Sequence, residues 1–341
     1  MNVLSLFDGM ACGLQALKQA GIKVDNYYAS EVDKYATQIA KKNHSEIIHL
    51  GDVTQWASWD LPNIDLVIGG SPCQGFSFAG KQKGASTTCE IEITTLEQYL
   101  ELKNNGFEFN GQSYLFWEYV HALKTLKPKH FLLENVKMSK KWIKVLSDAL
   151  GVEPVLIDSS LVSGQNRKRL YWGNFDILQP DDKEIYLKDI LESGVTDREK
   201  SYCLDASYFK GGNLKQYFEK SRRQLVFLDD KKTLSFLLKK RGTLAFEKAN
   251  NQLRGVDQKS NCLTTSGQNF SNSGSTNLMY KFDGKVGFRP LNPTECERLQ
   301  TLPDNYTEGL SNTQRYKALG NGWTVSVIEH IFKSMPCNSH K

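Results

Sequence analysis

Four side chains combine reactive chemistry with a place beside apolar runs. Cys73 lies in Asp65-Leu-Val-Ile-Gly-Gly-Ser-Pro-Cys-Gln-Gly-Phe-Ser77. A thiol behind a proline, with Gly69-Gly70 before it and Gln74-Gly75 after it, belongs on a loop, where it can be reached as a nucleophile. Glu134 directly follows Phe131-Leu-Leu133, a run that reads as core. A carboxyl group there has to be hydrogen-bonded or chemically employed, because an uncompensated buried charge is expensive. Arg167 and Arg169 alternate in Gln165-Asn-Arg-Lys-Arg-Leu-Tyr-Trp172. On a strand they share one face and can meet an anionic or carbonyl-rich ligand.

A second set points to a bound cofactor. Phe7-Asp-Gly-Met-Ala-Cys-Gly13 follows the first apolar run, and its small residues let backbone approach a ligand and open a helix. No GxGxxG and no Walker lysine occur, which disfavours a dinucleotide or a triphosphate. Glu31 ends the second run, 22 residues after Gly9, where a carboxylate can accept hydrogen bonds from ribose hydroxyls. Asp52 follows the third run and can meet an exocyclic amine. Singly these are ordinary acids at strand ends; in order they indicate a nucleoside-bearing cofactor.

Alternating elements must position these groups. Apolar runs at Val3–Phe7, Tyr27–Ser30, Ile47–Leu50, Asp65–Ile68, Phe131–Leu133, Val155–Ile157 and Leu170–Trp172 read as strands. Helical patterns at Leu14–Ala20, Tyr35–Lys42, Tyr114–Leu126 and Lys140–Leu150 lie between several of them. The alternation predicts an α/β fold with a mostly parallel sheet covered on both faces, and a ligand crevice at the strand ends. After Gln179-Pro-Asp-Asp182 the pattern weakens, and order returns at Arg289 with a helix-like Thr294–Leu302 stretch and an apolar helix Val325–Phe332.

Composition narrows the class. The 341 residues are 40% apolar and 24% charged, as in an ordinary folded enzyme, which excludes collagen, coiled coil and a largely disordered chain. No secretory leader and no membrane span is read, and a reducing cytoplasm is expected. Seven cysteines without a CxxC pair indicate neither a disulfide framework nor a zinc cluster, and PCQG lacks the second cysteine of a deaminase PCxxC site. No metal is expected. Net charge is only +5, but residues 210–259 hold 13 Lys/Arg against 5 Asp/Glu, a surface suited to a polyanion.

In this order the stretches SLFDGMACG, ASEVDKYA, GDV, GGSPCQGFS, LLENV, QNRKRLYWGN, RPLNPTECERLQTLPDNYT and QRYKALGNGWTV resemble the DNA (cytosine-5) methyltransferases over nearly the whole chain. SLFDG, RLYWGN and the tryptophan after GNG are similar to the eukaryotic de novo class; the lack of a chromatin-reading extension fits a bacterial or phage enzyme. The resemblance implies a Rossmann-like AdoMet-dependent methyltransferase fold. Residues 1–175 would form the catalytic domain, completed by about 310–341, and 176–309 a smaller irregular target recognition domain with its hinge.

By the same resemblance, Cys73 adds to cytosine C6, Glu134 hydrogen-bonds N3, Arg169 meets O2, and Arg167 orients Cys73 and Glu134 or neutralises the site. The base must leave the duplex stack. S-adenosylmethionine would pack on Phe7, the Gly9 turn and Val32, with Glu31 on the ribose and Asp52 on the adenine amine. Pro72 and Leu115 would line the pocket, and Asn321 with Trp323 would close it. Duplex DNA is the implied partner, alongside a possible cognate restriction endonuclease; a monomer in the cytoplasm of a bacterial cell or phage-infected host is expected. Gln74–Gly84 reads as a mobile lid. Arg222, Arg223, Arg241 and Arg254 are candidates for guanine contacts, and Lys259–Ser266 resembles a Thr-rich segment beside the recognition domain. Residues 85–112 form an insertion with a short helix. The rivals are the same chemistry on transfer RNA and a catalytically inactive DNA-binding homologue.

Overall fold

The computed structural model describes residues 1–76, 84–241, 281–283 and 286–336. The expected lid from Ser77 to Lys83, Arg254, the Lys259–Ser266 segment and the side chain of Arg241 lie outside them.

The seven apolar runs of the first 175 residues form the seven strands β1 (Asn2–Leu6), β2 (Asn26–Ser30), β3 (Ile48–His49), β4 (Leu66–Gly69), β5 (His130–Val136), β6 (Val155–Asp158) and β7 (Lys168–Gly173). They make one sheet in the order β3-β2-β1-β4-β5-β7-β6. β1 to β5 are parallel, and β7 runs antiparallel to both of its neighbours. The order reverses between β1 and β4, which opens a crevice at the carboxyl ends of the parallel strands.

Period-2 alternation supplies both faces with apolar side chains. Val3, Leu66, Ile68 and Leu132 join one core; Leu4, Leu6, Val67, Phe131 and Leu133 join the other. α1 (Cys12–Gln19) and α2 (Lys34–Asn43) cover the first face. α3 (Leu96–Asn104), α4 (Phe116–Leu126) and α5 (Lys140–Leu150) cover the second. The insertion at 85–112 is thus part of the fold: Ala85, Ile93, Leu96, Tyr99 and Leu102 are buried in that second core. Its anchor is Glu118 of α4, fully buried, which accepts hydrogen bonds from Trp56 Nε1 (3.1 Å), Tyr99 Oη (2.5 Å) and Lys103 Nζ (2.5 Å).

The break near residue 176 is compositional rather than a change of core. α6 (Leu187–Ile190) and the segment to Tyr208 return to the first face, where Leu187, Ile190, Leu204 and Tyr208 are buried. A separate small core holds Val195, Leu214, Tyr217, Leu225, Phe227, Leu237, Val286 and Phe288. It is built from α7 (Leu214–Lys220), β8 (Leu225–Phe227), α8 (Lys231–Arg241), β9 (Lys281–Asp283) and β10 (Val286–Pro290), with the antiparallel sheet order β8-β10-β9. The chain then rejoins the first face through α9 (Pro293–Leu299), α10 (Asn312–Asn321) and α11 (Val325–Lys333). An Asn292–Glu295 capping box starts α9. The sequence pattern does not announce α10.

Among the described residues no helix is long and apolar enough to cross a membrane. Glu118→Ala leaves the Trp56 and Tyr99 donors unpaired and should cost about 2–4 kcal/mol, measured as a shift of the urea midpoint.

Candidate active site

Every residue assigned a catalytic or cofactor-binding role above, from Phe7 to Trp323, lines a single open cleft of about 580 Å³ at the carboxyl end of the sheet. That volume lies within the span of about 300–1,000 Å³ usual for small-molecule sites. The parallel strands contribute their ends: Phe7 and Gly9 after β1, Glu31 and Val32 after β2, Asp52 after β3, Pro72 and Cys73 after β4, and Glu134 within β5. β7 runs the other way, so its beginning, with Arg167 just before it and Arg169 inside it, reaches the same rim. Leu115 enters ahead of α4, and Asn321 and Trp323 come from the α10–α11 junction.

The turn after β1 is strained and heavily held. Phe7, Gly9 and Ala11 all have left-handed backbones (φ 61°, 62° and 64°). For the two non-glycine residues that conformation costs about 1–2 kcal/mol each. Glu31 is the clamp: Oε2 accepts Gly9 N–H (2.8 Å), and Oε1 accepts Val32 N–H (2.8 Å) and Asp33 N–H (2.7 Å). Asp52 likewise accepts Thr54 N–H (2.9 Å). Both acids organise backbone at the cleft as well as facing it. Val32 is 68% exposed and offers the cleft an apolar face.

Asp8 was not among the expected site residues. Its Oδ1 accepts the Tyr27 hydroxyl (2.6 Å). The residue is only partly exposed, and its Oδ2 is shut off from solvent with no hydrogen-bond partner among the described residues. Burial is the chief reason its pKa is raised to about 6, with Glu31 adding to the rise.

Cys73 sits on the loop after β4. Asn135 of β5 secures that loop, donating from Nδ2 to Ser71 O (3.2 Å) and Ser71 Oγ (3.1 Å). Burial, and then the charge of Glu134, push the thiol up from its ordinary value, while Arg169 and Arg167 pull it down. The buried Asn135 could have been suspected from the ENV triplet, since an amide inside an apolar run needs partners.

Glu134 and Arg169 meet because of strand register. Glu134 pairs with Tyr171, and Val136 with Arg169, so Glu134 and Arg169 are diagonal neighbours on one face of the β5–β7 ladder. Arg169 Nε lies 2.9 Å from Glu134 Oε1, and Trp323 Nε1 donates to Oε2 at 3.1 Å. Neither contact uses a carboxyl proton.

Arg167, whose charge acts on Cys73, directs its hydrogen bonds at backbone carbonyls. It is buried, and it donates to Leu204 O (2.9 Å), Gly320 O (3.2 Å) and Gly322 O (2.9 Å). The shared-face expectation agrees with the positions of both guanidinium groups around Cys203 Sγ, at 3.5 Å for Arg167 and 4.0 Å for Arg169. Nothing in the sequence signals Cys203 there. Outside the cleft, Arg222 is exposed, and Arg223 donates to Gly211 O (3.1 Å). No cluster of three or more metal-ligating side chains occurs among the described residues.

A mainly parallel seven-stranded sheet with one reversed strand, carrying a cleft at its switch point, defines the class as an AdoMet-type methyltransferase fold. Solved structures agree on the fold: Spodoptera frugiperda DNMT2 (a triple mutant) superposes with a TM-score of 0.60 at 16% identity, covering 97% of this chain and 98% of that one. A putative DNA modification methyltransferase from an Escherichia coli prophage gives 0.54 at 18% identity and 98% coverage of both. The model of the C-5 cytosine-specific DNA methylase family matches residues 1–337, and the chain belongs to that family. Among its relatives, the orphan methyltransferase M.SPRI of Bacillus phage SPR is 26% identical over 98% of this chain and 97% of its own. The type II methyltransferase M1.ScrFI of Lactococcus lactis subsp. cremoris is 27% identical over 92% of this chain and 72% of its own.

Two substitutions test this geometry. A carboxyl group raised in the folded state favours folding below its unfolded value of 3.8 and costs stability as pH rises through about 6. Asp8→Asn keeps the acceptor for Tyr27, so its stability advantage should be near zero at pH 4 and reach up to about 3 kcal/mol above pH 6, read by denaturant unfolding across pH. Arg167→Lys replaces a fork whose two nitrogens reach separated carbonyls with a single ammonium, and should lower stability by about 2–4 kcal/mol, with a matching fall in Tm.

Proposed function

We propose that this protein methylates C5 of a cytosine flipped out of a specific duplex DNA sequence, through a covalent bond between Cys73 and C6. The observation that carries this reading is the convergence of Cys73, Glu134 and Arg169 on the rim of the cleft. Cytosine C5 is too weak a nucleophile to take a methyl group unaided. Addition of the Cys73 sulfur to C6 moves electron density to C5, with the thiol proton surrendered within the site. Glu134, whose charge already acts on Cys73, is the acid–base group for that proton and for N3 of the base. Arg169, fixed on Glu134, faces the cytosine carbonyl. Once C5 carries the methyl group, its proton passes to solvent or a base in the cleft, the C5–C6 double bond re-forms, and the C6–S bond breaks with its electron pair leaving on the Cys73 sulfur.

The residues at the cleft fit S-adenosylmethionine. The Gly9 turn gives close backbone approach, the exposed Val32 suits an adenine face, and Glu31 and Asp52 provide carboxylates at successive strand ends. When bound there, S-adenosylmethionine supplies an electrophilic methyl group. Duplex DNA fits the exposed cations Lys210, Lys215, Lys220, Arg222, Lys231, Lys232, Lys239 and Lys240. Binding through such groups falls steeply with salt.

Conversion sequencing of DNA from a methylation-free host tests the assignment. Cytosines within one short motif should be protected in cells expressing the protein and unprotected in cells expressing Cys73→Ala. An unmethylated genome, from a folded protein that binds S-adenosylmethionine, would overturn the DNA assignment and move the test to transfer RNA.

A further inference from the structure

We propose that Trp323 is a positioning residue for Glu134, and that it ties the C-terminal segment to the catalytic carboxylate. The proposal rests on the reading of Glu134 as the acid–base group. A carboxylate held by one partner can still rotate about its last bond. Glu134 has a partner on each oxygen, and the two come from different parts of the chain: the Arg169 guanidinium is ion-paired with Oε1 (Nε at 2.9 Å), and Trp323 Nε1 donates to Oε2 at 3.1 Å. Together they fix the plane of the group.

The packing is cut to this contact. A β-carbon on Gly70, at the end of β4, would lie 2.9 Å from Trp323 Nε1 and 3.2 Å from Glu134 Oε2. A β-carbon on Gly13 would lie 3.5 Å from the indole Cζ3. Gly70 therefore leaves the room in which donor and acceptor meet. The backbone on both sides of the indole is also fixed. Gly322 O accepts from Arg167 (2.9 Å) and Gln300 (3.1 Å). Thr324 Oγ1 bonds Ser159 Oγ (3.0 Å) and Gln300 Oε1 (2.9 Å). Arg167, which has no hydrogen bond to Glu134 or Cys73 among the described contacts, thus acts on Glu134 through Gly322 and the indole.

Trp323→Phe keeps a ring facing the cleft and removes the donor; Gly70→Ala keeps the donor and crowds the contact. Both should lower single-turnover methylation about ten- to a hundredfold, the worth of a hydrogen bond to a charged group. The loss of single-turnover rate at saturating S-adenosylmethionine should exceed any loss of cofactor affinity, read as Kd by calorimetry. In a Glu134→Gln background, which removes the charged acceptor, Trp323→Phe should add little further loss. Full additivity with Glu134→Gln, or an unchanged rate with weakened cofactor binding, would overturn the proposal. Should Trp323→Phe fold poorly, Gly70→Ala and its own combination with Glu134→Gln decide the matter. An active Glu134→Gln protein would instead overturn the role given to Glu134.

Discussion

A carboxylate placed in the interior of a sheet must have both oxygens compensated, and much of this molecule is arranged around meeting that demand for Glu134. The antiparallel pairing of β7 with β5 sets Arg169 diagonally across from it. Were β7 parallel like its neighbours, its beginning would lie at the far end of the sheet and no guanidinium would reach Glu134. The reversed strand therefore brings side chains from its start to the rim where the other strands end.

The same reversal carries Gln165 and Arg167 to that rim, and these two fasten the C-terminal segment. Gln165 donates to Leu299 O (2.7 Å) and to Gln300 Oε1 (3.0 Å). Arg167 holds Gly320 O and Gly322 O. Residues separated by more than a hundred positions become one wall of the cleft, and Trp323 is the point where that wall touches Glu134. The three long polar residues of one short stretch thus do three jobs: one to α9, one to the α10–α11 junction, one to the carboxylate.

Where β1 and β2 end at the cleft, the governing problem is a tight turn with left-handed residues. Glu31 answers it with three backbone hydrogen bonds, drawing β1, its turn and the start of α2 together. Asp33 extends the set by capping α2 and pairing with Lys317 of α10 at 2.7 Å. The acids at the cleft mouth are therefore structural and available for ligand contacts in the same positions. Asp8 is the exception, a carboxyl group whose burial shifts it toward its neutral form.

Strand and helix periodicity were legible in the sequence because a sheet covered on both faces needs an apolar residue at nearly every position of its central strands. The polar residues that gather at the cleft were legible because a carboxyl group and guanidinium groups beside such runs need partners, and because a thiol flanked by glycines falls on a loop. The partners of those groups were not. Trp323 on Glu134, Arg167 on three carbonyls, Asn135 on Ser71 and Cys203 between two arginines all depend on contacts between distant segments, which no local pattern encodes. The packing of residues 187–208 against the first core was hidden for the same reason: composition changes at residue 176, while burial is decided by where the chain returns. The sequence by itself determined the order of elements and the chemical groups at their ends. Only the tertiary structure decided which donor each group meets, because hydrogen bonds are set by distance in space and by strand register.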